Sequence, residues 1–171
     1  NELELVSGRM SKLKKGDIIA VALGSRMALK GYTGRLPSRL NTGDVIHLLN
    51  FGGVAGICTS ANVTEVGEPL RIRVLGGITR ARGKVLNIKE ANLFAPLKTM
   101  KNKTPLIIVT GTSMDSGKTT AASEIVKTLT RMGMSLAGTK LTGVGAHRDI
   151  YKMEDNGVTK AVSFTDCGIS S

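Results

Sequence analysis

What most constrains this chain is the change in its apolar patterning near residue 100. Ahead of that point the apolar residues come in short runs cut off by glycines and turn formers: GDIIAVAL (16–23), GDVIHLL (43–49), VAGICTS (54–60), LRIRVL (70–75) and GKVLNI (83–88). Their length and their β-branched residues predict strands. The run at 70–75 alternates, with Leu70, Ile72 and Val74 on one face and Arg71 and Arg73 on the other, as a half-buried strand does. No useful helical periodicity occurs before residue 100, so the front is expected to be a small β-barrel or sandwich. Aromatic residues make up 3% of the chain and Trp is absent, so any core has to be aliphatic.

Behind the polar stretch LKTMKNKTP (97–105), which reads as a linker, the pattern differs. PLIIVT (105–110) is a continuous apolar run, as in a strand buried on both faces. Ala121, Ala122, Ile125, Val126 and Leu129 then form a helical stripe that Gly133 can close. SLAGTK (135–140) predicts a strand, RDIYKMEDNG (148–157) a short helix and KAVSF (160–164) a further strand. That order predicts a parallel α/β sheet. The expected fold is therefore α/β: a basic β-rich domain over residues 1–100, then the first part of a parallel-sheet P-loop NTPase domain over 104–171. The second domain is expected to be incomplete, since three strands and one or two helices fall short of such a sheet.

The turn between the apolar run and the helical stripe carries the chemistry. Gly111 and Gly117, with Lys118 and Thr119, read as a phosphate loop of the G-x-x-x-x-G-K-[ST] type. A polyphosphate concentrates negative charge, and successive backbone N–H groups can cradle it. The cofactor-binding candidates are Gly111, Thr112, Ser113, Met114, Asp115, Ser116, Gly117, Lys118, Thr119 and Thr120. Lys118 is the point charge for the β and γ phosphates, and the Thr119 hydroxyl is a ligand for Mg²⁺. The implied cofactors are ATP or GTP with Mg²⁺. Asp166, after the last apolar run, fits either a metal-side acid or a turn.

GTSMDSGKTT, followed about twenty residues later by AGTKLTG, resembles dethiobiotin synthetase. It also resembles the molybdopterin-guanine dinucleotide biosynthesis adaptor GTPase. Both fall within the MinD and signal-recognition class of P-loop NTPases, although Thr112 stands where the MinD signature has a Lys. The likeness covers 105–168; a fainter one, through GGVAG, is to bacterial NTPases with a β-rich N-terminal piece. The resemblance implies Lys140 as a catalytic contact to substrate or the transferred phosphoryl group, and Asp149 as a Mg²⁺ ligand. It implies an ATP-dependent enzyme acting on a small molecule in metabolism or cofactor assembly. The alternative is a nucleotide-gated adaptor.

Charge separates the two parts. Residues 1–103 hold 17 basic and 7 acidic side chains, and 104–171 hold 7 and 6. An anionic partner suits the front. Nucleic acid is the weaker candidate, because the strip Arg71, Arg73, Arg80, Arg82 and Lys84 has few aromatics to stack bases. No apolar run approaches the ~20 residues of a membrane span. Two isolated cysteines, Cys58 and Cys167, suggest a reducing, cytoplasmic setting. A homo-oligomer is expected.

Overall fold

The computed structural model describes residues 2–80, 83–95, 97–99, 104–113 and 115–170. Met114, Arg82 and part of the expected linker lie outside these. The chain opens with an antiparallel hairpin, β1 (Glu2–Glu4) with β2 (Met10–Lys12), in which Leu3 faces Ser11. Next come β3 (Ala22–Leu23), β4 (Tyr32–Arg35), β5 (Val45–Leu48), β6 (Val54–Ala61) and β7 (Arg71–Arg73). The path runs β3-β6-β5-β7, and β4 also pairs with β6.

The eight-residue β6 organises this sheet. Its first residues bond β3 in parallel and β5 antiparallel, while its later ones take β4 antiparallel. The β4–β6 register slips between Thr33 and Gly34, which bends the ladder as a bulge does. At that bend the chain comes very close to the core: a Cβ on Gly34 would lie 2.7 Å from both Leu49 methyls. The result is a sheet curled into a half-barrel around Tyr32, Leu49 and Val54. Ile46 and Leu48 are buried while the outward Arg71 and Arg73 of β7 are exposed, so the alternation expected at 70–75 is present.

Three details correct the front-half expectation. The sheet curls halfway and does not form a barrel or sandwich. Of the run 16–23 only Ala22–Leu23 is strand. The run 83–88 yields one bridge, Thr79 to Val85, then a 3-10 turn over Ile88–Ala91. Short runs make strands only where a neighbour supplies hydrogen bonds, and these find little to pair with. A one-turn helix α1 (Val63–Val66) precedes β7; its Val66 carbonyl accepts a 2.8 Å hydrogen bond from the Tyr32 hydroxyl.

The second half has helix α2 (Lys118–Arg131), strand β8 (Ala137–Lys140), helix α3 (Arg148–Asp155) and strand β9 (Lys160–Ser163). β8 and β9 pair in parallel, Ala137 with Lys160 through Lys140 with Ser163. α3 crosses over between them, and Ile150, Val158 and Phe164 are buried there. The parallel-sheet P-loop domain expected here is overturned. The parallel sheet has two strands, about 21% of the chain is helix, and 105–110 belongs to no strand. A parallel sheet needs helices on both faces, and this much helix cannot supply them.

The two halves touch. Both oxygens of the Glu4 carboxylate accept backbone bonds at the start of α3, from His147 N at 2.6 Å and Arg148 N at 3.1 Å. The Tyr151 hydroxyl donates to Val6 O at 2.9 Å, and the Arg148 guanidinium lies 4.7 Å from the Phe51 ring centroid. Leu93 N donates to Asp166 O at 2.8 Å.

Candidate phosphate-binding loop

The loop is built from the helix backward. α2 begins at Lys118 with Gly117 as its N-cap, in the left-handed conformation at φ +82°. Glycine adopts that conformation without strain. A glycine has no side chain to bond the first-turn amides, and none caps this helix. The N–H groups of Lys118, Thr119 and Thr120 precede the first intrahelical bond, which Ala121 N makes to Gly117 O at 2.9 Å. They lack i−4 partners by geometry. The first turn carries no acidic residue, so the positive end of the helix dipole is not offset there.

The rest of the loop folds around the Lys118 side chain. Its ammonium donates to the Ser113 carbonyl and, at 3.0 Å, to the Ser116 hydroxyl. Gly111 closes the ring. A methyl placed on it would fall on the Ser116 hydroxyl and lie 3.0 Å from Lys118 Cγ. Asp115 sits at φ +58°, the one positive-φ residue other than glycine among those described. Two left-handed residues within three positions turn the chain sharply, which lets neighbouring N–H groups converge. Deeper in, Ser123 donates to Thr119 O at 2.8 Å and is buried, which fixes the first turn.

Counted along the chain, five residues separate Gly111 from Gly117, one more than the G-x-x-x-x-G-K-[ST] pattern has. Thr112 therefore occupies the place of that pattern's first glycine. Of the ten residues expected to hold phosphate, Gly111–Ser113 and Asp115–Thr120 lie together in this turn, while Met114 is outside the described residues.

Lys140 and Asp149 are brought together elsewhere. Lys140 ends β8, Asp149 lies in the first turn of α3, and their side chains form an ion pair with side-chain exposures of 15% and 26%. The Lys140 ammonium also donates to Val144 O at 2.6 Å. This pair ties down the loop 141–147. To meet a phosphoryl group, Lys140 would have to leave Asp149 or carry it along. Asp166 is a local cap: its carboxylate accepts Ser163 N at 2.8 Å at a 3-10 turn over Phe164–Cys167. His147 stacks on Tyr151 at 5.6 Å between ring centroids.

Sequence reasoning missed the Glu4 contact to α3 and the role of Arg26. The Arg26 guanidinium reaches from the curled sheet to the Leu49 carbonyl, and burial lowers its pKa. Among the described residues no three His, Cys, Asp or Glu side chains cluster as a metal site, and no helix is long and apolar enough to cross a membrane. No protein-family model matches the chain, and neither the curated proteins nor the solved structures yield a significant match.

Proposed function

We propose that the turn 111–117 and the first turn of α2 bind the polyphosphate of ATP or GTP with Mg²⁺, and that the chain uses the nucleotide to act on a small molecule. The uncapped, glycine-started head of α2 with a lysine folded over it is the observation that supports this. Free amides, the helix dipole and the Lys118 ammonium are the three groups a bound polyphosphate uses. Thr119 would hold Mg²⁺, and the metal would supply charge neutralisation at the β and γ phosphates. The likeness of GTSMDSGKTT to dethiobiotin synthetase points to a small acidic or amine substrate. Free thiols at Cys58 and Cys167 suit a cytoplasmic protein.

The alternative is a nucleotide-gated adaptor, favoured by the excess of basic side chains in residues 1–103. Calorimetric titration of MgATP and MgGTP into the chain and into Lys118→Ala tests the common part. The substitution should weaken binding at least tenfold, ~1.4 kcal/mol. Equal affinity in both proteins refutes the site. Nucleotide turnover that rises with one member of a panel of carboxylates and amines marks the enzyme; turnover indifferent to all of them marks the adaptor.

A further inference from the structure

β7 (Arg71–Arg73) lies at the open end of the curled sheet. Its ladder is to β5, with Ile46 opposite Ile72. Leu48 N donates to Leu70 O and Val74 N to Asp44 O, each at 2.9 Å. Bonded positions alternate along an antiparallel pair, so Leu70, Ile72 and Val74 turn their backbone groups toward β5. The N–H and C=O groups of Arg71 and Arg73 therefore face the other way. No strand pairs with them there and no loop bonds them among the described residues. Both arginine side chains are exposed, and neither forms an ion pair among the described residues. Beside them an open groove of about 320 Å³ is lined by Val45, Arg71, Ile72 and Arg73.

Chemistry selects what can fill this edge. A second copy of β7 would set arginine against arginine, and Pro69, two residues before Arg71, has no N–H to offer. Both features keep the edge from pairing with itself. Phosphates accept hydrogen bonds but donate none to the Arg71 and Arg73 carbonyls, and the groove has no aromatic ring on which bases could stack. An extended peptide supplies both donors and acceptors at the spacing of a strand. Paired residues of neighbouring strands keep their side chains on the same face, at about 5.5 Å between Cα atoms. Carboxylates at alternate positions of an incoming segment thus meet Arg71 and Arg73. Val45, the cross-strand neighbour of Arg73, adds apolar surface beside them.

We propose that β7 docks an extended segment of a partner protein with acidic residues at alternate positions. This names the anionic partner of the adaptor reading and rests on that reading's premise that the front half holds an anion. Fluorescence anisotropy of a labelled peptide of about eight residues, in which Glu alternates with Thr and Val, tests it in physiological salt. The contact is small, so a dissociation constant of roughly 10–500 µM is expected. Arg71→Glu with Arg73→Glu should weaken binding at least tenfold, and Arg71→Gln with Arg73→Gln at least threefold. Both sites are exposed, so circular dichroism should match the parent's. Lys14→Glu with Lys15→Glu, the same change of charge at exposed positions, should cost less than twofold. A peptide with its glutamates in one block, or one N-methylated along one edge, should bind at least fivefold more weakly. Absence of binding at about 1 mM overturns the proposal. So does equal binding of either altered peptide, or an equal loss in the lysine control, since each leaves only bulk charge. A single-stranded oligonucleotide held more tightly through the same arginines overturns it too, while keeping an anion on the front half. Lys118→Ala should bind the peptide as the parent does, so failure of this edge and failure of the nucleotide site are read separately; peptide binding that needs Lys118 also overturns the proposal.

Discussion

Gly111→Ala is the sharpest test of the loop, because the structure fixes what the added methyl meets. It would fall on the Ser116 hydroxyl and 3.0 Å from Lys118 Cγ. The backbone conformation at Gly111 is not left-handed, so alanine is not strained there by φ and the effect is contact alone. The easiest relief is for Ser116 to leave its rotamer, which breaks its 3.0 Å bond from the Lys118 ammonium. A hydrogen bond to a charged group is worth about 1.5–3 kcal/mol, and an off-rotamer side chain costs a further 0.5–1.5 kcal/mol or so. If about half of that falls on the closed, ligand-holding loop, MgATP affinity drops about five- to fortyfold. Titration calorimetry reads the affinity. Thermal melting reads the fold, which should be unmoved because Gly111 is exposed and outside regular structure. Parent-like affinity in a folded Gly111→Ala protein would refute the ring of Gly111, Ser116 and Lys118 as a binding element.

Lys140→Ala and Asp149→Ala should each destabilise the chain by about 1–3 kcal/mol. In a double-mutant cycle by urea unfolding the pair should couple by about 1 kcal/mol or more, as contacting groups do; additive effects would mean that the pair does not hold the 141–147 loop. Glu4→Ala should cost about 0.5–2 kcal/mol, the range for a lost helix cap, and speed hydrogen exchange at the His147 and Arg148 amides; unchanged exchange would show the halves undocked in solution. Tyr32 gives a pH test. Burial, then the neighbouring Cys58 and Glu68, raise its pKa above the ordinary 10.0, with Arg26 opposing. The folded state therefore holds this proton more tightly than the unfolded state. Stability from this group is full below pH ~10 and is lost as pH rises through the folded value. Tyr32→Phe should cost about 1 kcal/mol at neutral pH, through the lost bond to Val66 O, and flatten the alkaline decline; an unaltered slope above pH 10 would assign the decline to other groups.

Patterning revealed the elements whose partners lie close in sequence. β7 alternates because one face of its sheet is covered, leaving Ile72 half-buried, and the other meets water, and that is visible in Arg71-Ile72-Arg73 alone. α2 and α3 show their stripes, and β8 and β9 pair across a crossover of 19 residues between Lys140 and Lys160. Failures came where pairing is distant or missing. β4 (Tyr32–Arg35) holds a glycine and an arginine, and it is a strand because β6 supplies its hydrogen bonds. The run 105–110 looks like a central strand because it is apolar throughout, yet composition cannot provide the two neighbours that a central strand requires. The same lack of neighbours removes the parallel P-loop sheet.

The candidate site divides along the same line. The turn proposed to hold phosphate is legible because its parts are consecutive: the amides come from adjacent residues, the glycine that turns them precedes the helix, and the lysine is the next residue. The contacts among Gly111, Ser116 and Lys118 lie within this stretch, so they do not depend on the expected sheet. The Lys140–Asp149 pair spans nine residues, across a strand end and a helix start. Its two members were each identifiable as charged residues near a site, but not as partners. The Glu4 bond to Arg148 N spans 144 residues, and no local rule marks a glutamate in a hairpin as the cap of a distant helix. That bond puts the front half against the start of α3, whose first turn holds Asp149, the partner of Lys140. A Glu4→Ala protein that keeps the parent's MgATP affinity while the coupling energy of Lys140 with Asp149 falls would separate the loop, whose contacts are local, from the pair, which depends on the fold.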